Sequence, residues 1–419
     1  MSVSAAAQIP VIQNATPSGI ASSSADLQGN LVSTGTAPTE VFVYWGTNDL
    51  GATKLGWGGV EPFGLQEVGA LYTNVLGLTP STMYWYRYYA TNINGDAWAP
   101  SSTNFVTAGG GPTVIYIDWT ATTGADNGTT WANAFTNLQD GLSAAVSNDQ
   151  IWVSAGTYVP TNGTNRAASF ELKEWVGLYG GFAGGESSLG QRNWSANRTI
   201  LSGDLNGDDA GFSNNVENSY QVVRGTNNAV LDGFTIAHGN ADNVGFNQRG
   251  GGMFNVNSSP KVQNCIFTLN RGIEGGAVAN EYGTPQFIEC AFLNNWADGM
   301  SSGQGGGIYN HITTAVISNC VFAGNTAHDW GGAIDVYQGH PQIINCVIVG
   351  NMAPATGGGV RIQQGQATIR NSTIAYNECT ANGPGICNDI SSDLLLENTI
   401  VWGNTGAPQQ IDNNSATCT

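Results

Sequence analysis

Acidic side chains crowd one short segment of the chain, Asp204-Leu205-Asn206-Gly207-Asp208-Asp209. Oxygen donors at alternate positions begin a Ca²⁺ loop of the D-x-[DN]-x-[DN] kind, because a hard cation needs several oxygens from one tight turn. The match stops there: Asp209 stands where the turn glycine of an EF-hand belongs, and Asn215 where its bidentate glutamate belongs. Asp204, Asn206, Asp208 and Asp209 therefore read either as ligands of a structural calcium or as a solvated acidic turn, with the second reading favoured. No other cofactor is implied.

A second set of reactive side chains is spread over residues 281–361. Glu281 and Asp335 are a pair of carboxyl groups, and glycoside hydrolysis needs two of these about 5 to 9.5 Å apart. Trp296, Asp298, His311, His328, Asp329, Trp330, Tyr337 and Arg361 add aromatic planes and polar groups of the kind that hold a sugar's face and its hydroxyls. The four histidines lie in different units without an HxxxH spacing, which argues against zinc.

Side chains so far apart in sequence meet only if a repeat brings them together. One is present: Asn264-Cys265, Glu289-Cys290, Asn319-Cys320, Asn345-Cys346, Asn371-Ser372 and Asn398-Thr399 recur at steps of 25, 30, 26, 26 and 27. Five residues past each cysteine position stands Asn270, Asn295, Asn325, Asn351, Asn377 or Asn404. Apolar columns and glycine clusters keep the same register. A period of about 26 with short alternating strands is one coil of a parallel β-solenoid, whose coils stack about 4.8 Å apart and lay equivalent side chains in ladders. About eleven coils, a rod on the order of 50 Å, are expected.

Alternation then sorts the strand after each glycine cluster. Met253, Val278, Ile308, Ile334 and Val360 should point inward. Glu281, His311 and Tyr337 should share one outward column, and Asp335 and Arg361 the next. With Trp296, Asp298, His328, Asp329 and Trp330 from the preceding turns, these would line a shallow groove on one flat, open face. Binding of a glycan and a merely solvated polar face both remain open. Cys265, Cys290, Cys320 and Cys346 form an inward column read as buried free thiols, since in-register side chains rarely reach disulfide geometry. Cys379 and Cys387 are the better disulfide candidates.

Upstream, residues 10–108 show short alternating strands, such as Val41-Phe42-Val43-Tyr44-Trp45, and predict a small β-sandwich. A flexible leader over 1–9 and a linker over 109–113, carrying Gly109-Gly110-Gly111-Pro112, bracket it. The β-helix is expected over 114–419, opened by a capping helix within Trp131 to Ala145, whose Ala134, Leu138, Leu142 and Ala145 follow helical spacing. The fold class is all-β: a sandwich followed by a right-handed parallel β-helix.

Leu78-Thr79-Pro80-Ser81-Thr82-Met83-Tyr84 with Tyr86-Arg87 resembles the second half of a fibronectin type III domain. Gly275-Gly276-Ala277-Val278, Phe292-Leu293-Asn294-Asn295 and Gly331-Gly332-Ala333-Ile334 resemble the GGA[ILV] and FxxN repeats of chlamydial polymorphic outer membrane proteins. Ala155-Gly156-Thr157-Tyr158 and Leu178-Tyr179-Gly180-Gly181-Phe182 resemble the front of secreted bacterial β-helix proteins. These resemblances imply the β-helix architecture and, more weakly, an adhesin-like role at the cell surface. The clustered aspartates of polygalacturonase-type β-helix enzymes and the concentrated basic residues of β-helix lyases have no counterpart.

Charge narrows the partners. With 12 basic and 30 acidic residues the net charge is −18, which repels nucleic acid and anionic membranes. Neutral glycans or surface proteins fit better, and self-association is a further option. No apolar stretch is long enough for a membrane span, and Met1-Ser2-Val3 does not open a signal peptide. The expectation is an extracellular or cell-surface binding module. A carbohydrate-active enzyme using Glu281 and Asp335, and a self-assembling structural protein, are the alternatives.

Overall fold

The computed structural model describes residues 7–80, 82–108, 113–243, 245–299, 302–413 and 417–418. The leader expected over 1–9 falls mostly outside these residues, as does the linker over 109–113 except for residue 113. The chain forms two compact units, one ending at residue 111 and the other beginning at 112.

The first unit is all antiparallel. Val11–Asn14, Ser24–Ser33 and Gly69–Leu76 form one sheet, and Gly59–Gln66, Thr39–Gly46, Met83–Asn92, Gly95–Trp98 and Thr103–Val106 the other. Alternation puts Leu27, Val41, Val43, Tyr86 and Tyr88 in one sealed core. The Tyr84 hydroxyl accepts the Thr79 amide at 2.9 Å and pins the chain where it enters the strand.

The second unit is a parallel β-solenoid of about ten coils. Its described residues build an eleven-stranded sheet, two nine-stranded sheets and a short four-stranded one, every neighbour paired parallel, with a register shift between Gln150–Ser154 and Gly177–Phe182. One coil runs through Val278–Glu281, Gln286–Ile288, Ala291–Leu293 and Trp296–Ala297. Single residues with positive φ turn the corners between strands, and here Tyr282, Glu289 and Asn294 hold φ near 53–59°. Asn264, Asn319, Asn345, Asn371 and Asn398 occupy the position equivalent to Glu289 with the same angle. Asparagine tolerates that left-handed region better than most residues, which explains the Asn-Cys dipeptide.

Inside, Phe267, Phe292 and Phe322 stack with ring planes 6° apart and centroids 5.1 and 4.5 Å apart. Each buried ring contributes about 1.5–3 kcal/mol. The asparagine column is a unidirectional chain: Nδ2 of Asn295 donates to Asn325 Oδ1 at 2.9 Å, Asn325 to Asn351, Asn351 to Asn377 and Asn377 to Asn404, each at 2.9 Å. A second buried chain, Asn255 to Asn280 to Asn310 at 2.8 Å per step, runs along the four-residue strands.

The helical region is shorter than its apolar spacing predicts. A 3₁₀ turn, Trp131–Asn133, precedes a seven-residue α-helix, Leu138–Ala144. The Asn137 side chain accepts the Gln139 amide and starts the helix there. Ala134, Leu138, Leu142 and Ala145 are nevertheless all buried. The expectation of a Cys379–Cys387 disulfide is corrected, for both thiols are free and buried. Cys379 donates to the Asn382 carbonyl at 3.1 Å within its turn, whereas Cys387 is held on Ile386–Asn388 in register with Arg361.

Candidate functional site

The two outward columns exist as registered pairs. Val256, Glu281, His311, Tyr337 and Gln363 align, and beside them Phe254, Ala279, Tyr309, Asp335, Arg361 and Cys387. What alternation does not reveal is that this face is covered. Glu281 is 5% exposed, Asp335 0% and Arg361 3%. The expectation of a flat, open patch is therefore corrected.

The cover comes from the turns before each glycine cluster. Arg249, Glu274, Gln304, Trp330, Thr356 and Asn382 bridge coil to coil as a parallel ladder. Glycine lets each turn close: a Cβ on Gly275, at φ 75°, would sit 2.1 Å from the Val278 carbonyl oxygen. The turn side chains then fold over the strand. Arg249 pairs with Glu274 at 2.5 Å and also with Glu281, whose Oε1 lies 3.2 Å from His311 Nδ1. His311 stacks on Tyr337 with centroids 5.4 Å apart.

Asp335 and Arg361 make a sealed ion pair at 3.3 Å, Arg361 reaches Asp389 at 3.3 Å, and the Trp330 ring lies over the guanidinium. Burial pushes the Asp335 carboxyl up to about 6 against the lowering pull of Arg361. In this layer Glu281 and Asp335 are each paired to an arginine through one oxygen, while Asp335 Oδ1 and Arg361 Nε are buried without a hydrogen bond. Glu281 and Asp335 stand two coils apart as expected, but both are buried, at 5% and 0% exposure.

Trp296, His328 and Asp329 gather elsewhere, on the outside of the short fourth sheet. There Arg271, Trp296 and Thr326 pair in register, with Met352 and Glu378 continuing the column. Ala297, Ala327 and Ala353 fill the inward side. A groove of about 570 Å³ opens between Trp296 and Met352, floored by Thr326 and Ala327 and edged by His328, Asp329 and Pro354. Small Thr326 between two large neighbours is what makes the slot. His328 Nδ1 lies 3.3 Å from Asp329 Oδ2, and that oxygen accepts the Gly303 amide at 3.1 Å. Phe212 meets Trp296 edge-on at 5.5 Å, and Arg271 lies over the Trp296 ring while pairing with Asp298.

The ten residues of the expected catalytic and ligand set thus divide. Glu281, His311, Trp330, Asp335, Tyr337 and Arg361 belong to the covered layer. Trp296, His328 and Asp329 line the groove, and Asp298 holds Arg271 against Trp296. The insertion expected at 298–304 includes residues 300 and 301, which lie outside the described residues. Sequence reasoning missed Met352, the groove's second wall, although the 26-residue step from Thr326 points to it. It also missed Arg249 and Glu274, whose turns carry no strand pattern.

In the acidic loop, Asp204, Asp208, Asp209 and Glu217 offer carboxylate oxygens within 4.8 Å of one another. This group is able to hold a metal ion. Asn206 is exposed, and Glu217 joins the three aspartates. Its distance in sequence from the Asp-rich turn hid it.

Residues 309–419 match the family model described as the right handed beta helix region. No curated protein matches the chain. Among solved structures, pectate lyase Pel9A is 13% identical with a TM-score of 0.38, over 72% of this chain and 80% of that one. The sensor domain of the anti-sigma factor RsgI4 in Pseudobacteroides cellulosolvens is 13% identical with a TM-score of 0.17, over 24% of this chain and 91% of that one. At such similarity the chemistry rests on this chain's own geometry. No helix among the described residues is long and apolar enough to cross a membrane.

Proposed function

We propose that this protein is an extracellular or cell-surface binding module whose β-solenoid is a rigid rod and whose groove between Trp296 and Met352 takes a sugar ring of a neutral glycan. The single observation behind this reading is the slot itself. An aromatic plane and a thioether stand two coils apart, about 9.6 Å by coil spacing, over a floor of small side chains, with an imidazole and a carboxylate at the rim. Sugars present apolar C–H faces to aromatic rings and hydroxyls to polar rims. The net charge of −18 disfavours polyanionic ligands.

Adhesion, the fibronectin-like character of the sandwich and the kinship with chlamydial surface repeats belong to the same proposal. They agree with a display role for a rod held together by ladders. Hydrolysis by Glu281 and Asp335 is the weaker alternative, because both carboxylates are buried against arginines.

A glycan array probed with the wild-type chain and with Trp296→Ala tests the reading. A specific signal that falls about tenfold or more in the variant, the worth of one aromatic platform, is expected. Wild-type binding by Trp296→Ala, or no neutral glycan bound by either protein, would overturn it.

A further inference from the structure

The loop between Thr199–Ser202 and Val223–Arg224 is tied to the next coil at several points. The Asn240 amide donates to the Ser219 carbonyl at 2.8 Å, and the Asn240 side chain to the Asn215 carbonyl at 2.7 Å. Asn218 Nδ2 bridges the His238 carbonyl at 2.8 Å and Asp209 Oδ2 at 2.7 Å. His238 Nδ1 lies 2.9 Å from that same carboxylate. The loop is thus a built structure that encloses its own acids.

Two carboxylate oxygens within it have no partner, as do Asn218 Oδ1 and Ser219 Oγ. Asp209 Oδ1 and Glu217 Oε1 are buried without a hydrogen bond, and the Asp209 side chain is only 1% exposed. Buried polar atoms are rarely left unpaired, because each costs about 1–3 kcal/mol, more for a charge. Here the orphaned carboxylate oxygens belong to a group of four carboxylates whose oxygens lie within 4.8 Å of one another. Four negative charges at that separation repel one another unless a cation or protons compensate them.

We propose that Asp204, Asp208, Asp209 and Glu217 form a site for a divalent oxygen-seeking cation of the calcium class, which clasps the Asp204–Asp209 turn to the returning arm of the same loop at Glu217. An oxygen-only donor set without sulfur or imidazole ligands suits hard cations such as calcium better than the softer transition metals. Asp204 also accepts the amides of Gly207 and Asp209, at 2.6 and 3.1 Å, so its carboxylate is oriented in advance. The proposal does not depend on the groove at Trp296.

The test uses the full chain stripped with EDTA, titrated calorimetrically with CaCl₂ in parallel with thermal unfolding. One saturable site per chain is expected, with a Kd on the order of 10⁻³ M or tighter, and Ca²⁺ should raise Tm while EDTA reverses the rise. Glu217→Gln removes the charge at nearly constant shape. It should weaken Ca²⁺ binding at least tenfold and melt higher than the wild type in EDTA, since the repulsion is relieved. Asp209→Asn gives a second reading of affinity. Absence of binding heat and of any Tm shift up to about 10 mM Ca²⁺, or wild-type affinity in Glu217→Gln, would overturn the proposal.

Discussion

The Trp330 ring lies 4.7 Å from the Arg361 guanidinium, 31 residues further along the chain, and closes the outer face over the Asp335–Arg361 pair. Trp330 and Trp296 both precede glycine clusters, yet they do different work. Trp330→Ala should destabilise the solenoid, by less than the roughly 3–5 kcal/mol that truncating a fully buried tryptophan costs because the ring is half-buried, and leave glycan binding intact. Trp296→Ala should do the reverse. Paired melting and binding measurements separate the two; equal loss of binding in both would assign the covered layer to the ligand site.

Asp335 couples stability to pH. Its carboxyl titrates near 6 in the fold against 3.8 as the reference value, so between those values the folded state binds more protons than the unfolded one. Stability from this group is therefore fully present below about pH 3.8 and is lost as pH rises through about 6. The difference amounts to roughly 3 kcal/mol. Chemical denaturation of the wild type and of Asp335→Asn across pH 4–7 should show the variant lacking this component. Identical pH profiles would mean that Asp335 is not held in this way.

The thiols make a sharp labelling prediction. Cys265, Cys290, Cys320, Cys346, Cys379 and Cys387 are free and buried, whereas Cys418 is exposed. Burial pushes Cys265 and Cys387 up to about 12, far from the thiolate that reacts. A thiol reagent at neutral pH should modify one cysteine in the native protein, at position 418, and seven after unfolding. Protection of Cys379 and Cys387 from alkylation even in the unfolded, unreduced chain would reveal a disulfide.

What could be read from the sequence is what the stacking of coils repeats. Phe267, Phe292 and Phe322 recur because each must rest on the one before, and Asn270 to Asn404 because each must bond to the next. The corner asparagines recur because their backbone turns left. The covered layer was not legible for a related reason. Alternation separates the two faces of a strand but says nothing of what lies beyond the outer one. Arg249, Glu274 and Trp330 reach that face from turns with no period-two pattern. Glu217 was hidden because a folded-back loop, not the coil, brings it to Asp204.

Gln410 also lies outside the period, and it ends the asparagine ladder. Its Oε1 accepts Asn404 Nδ2 at 2.9 Å and the Asn404 amide at 2.9 Å, and its own Nε2 donates to the Asn404 carbonyl at 2.8 Å. Each asparagine above is satisfied in the same way by the next one down, so without Gln410 the last link is left with an unpaired buried amide. Gln410→Ala should cost about 1–3 kcal/mol, and amide exchange should quicken first around Asn404 and Gly385, where the last coils meet. Asn351→Ala removes an interior link and leaves orphans on both sides, so it should cost more than the terminal change. Hydrogen exchange that speeds up uniformly along the rod in Gln410→Ala would show that the terminal glutamine does not act locally.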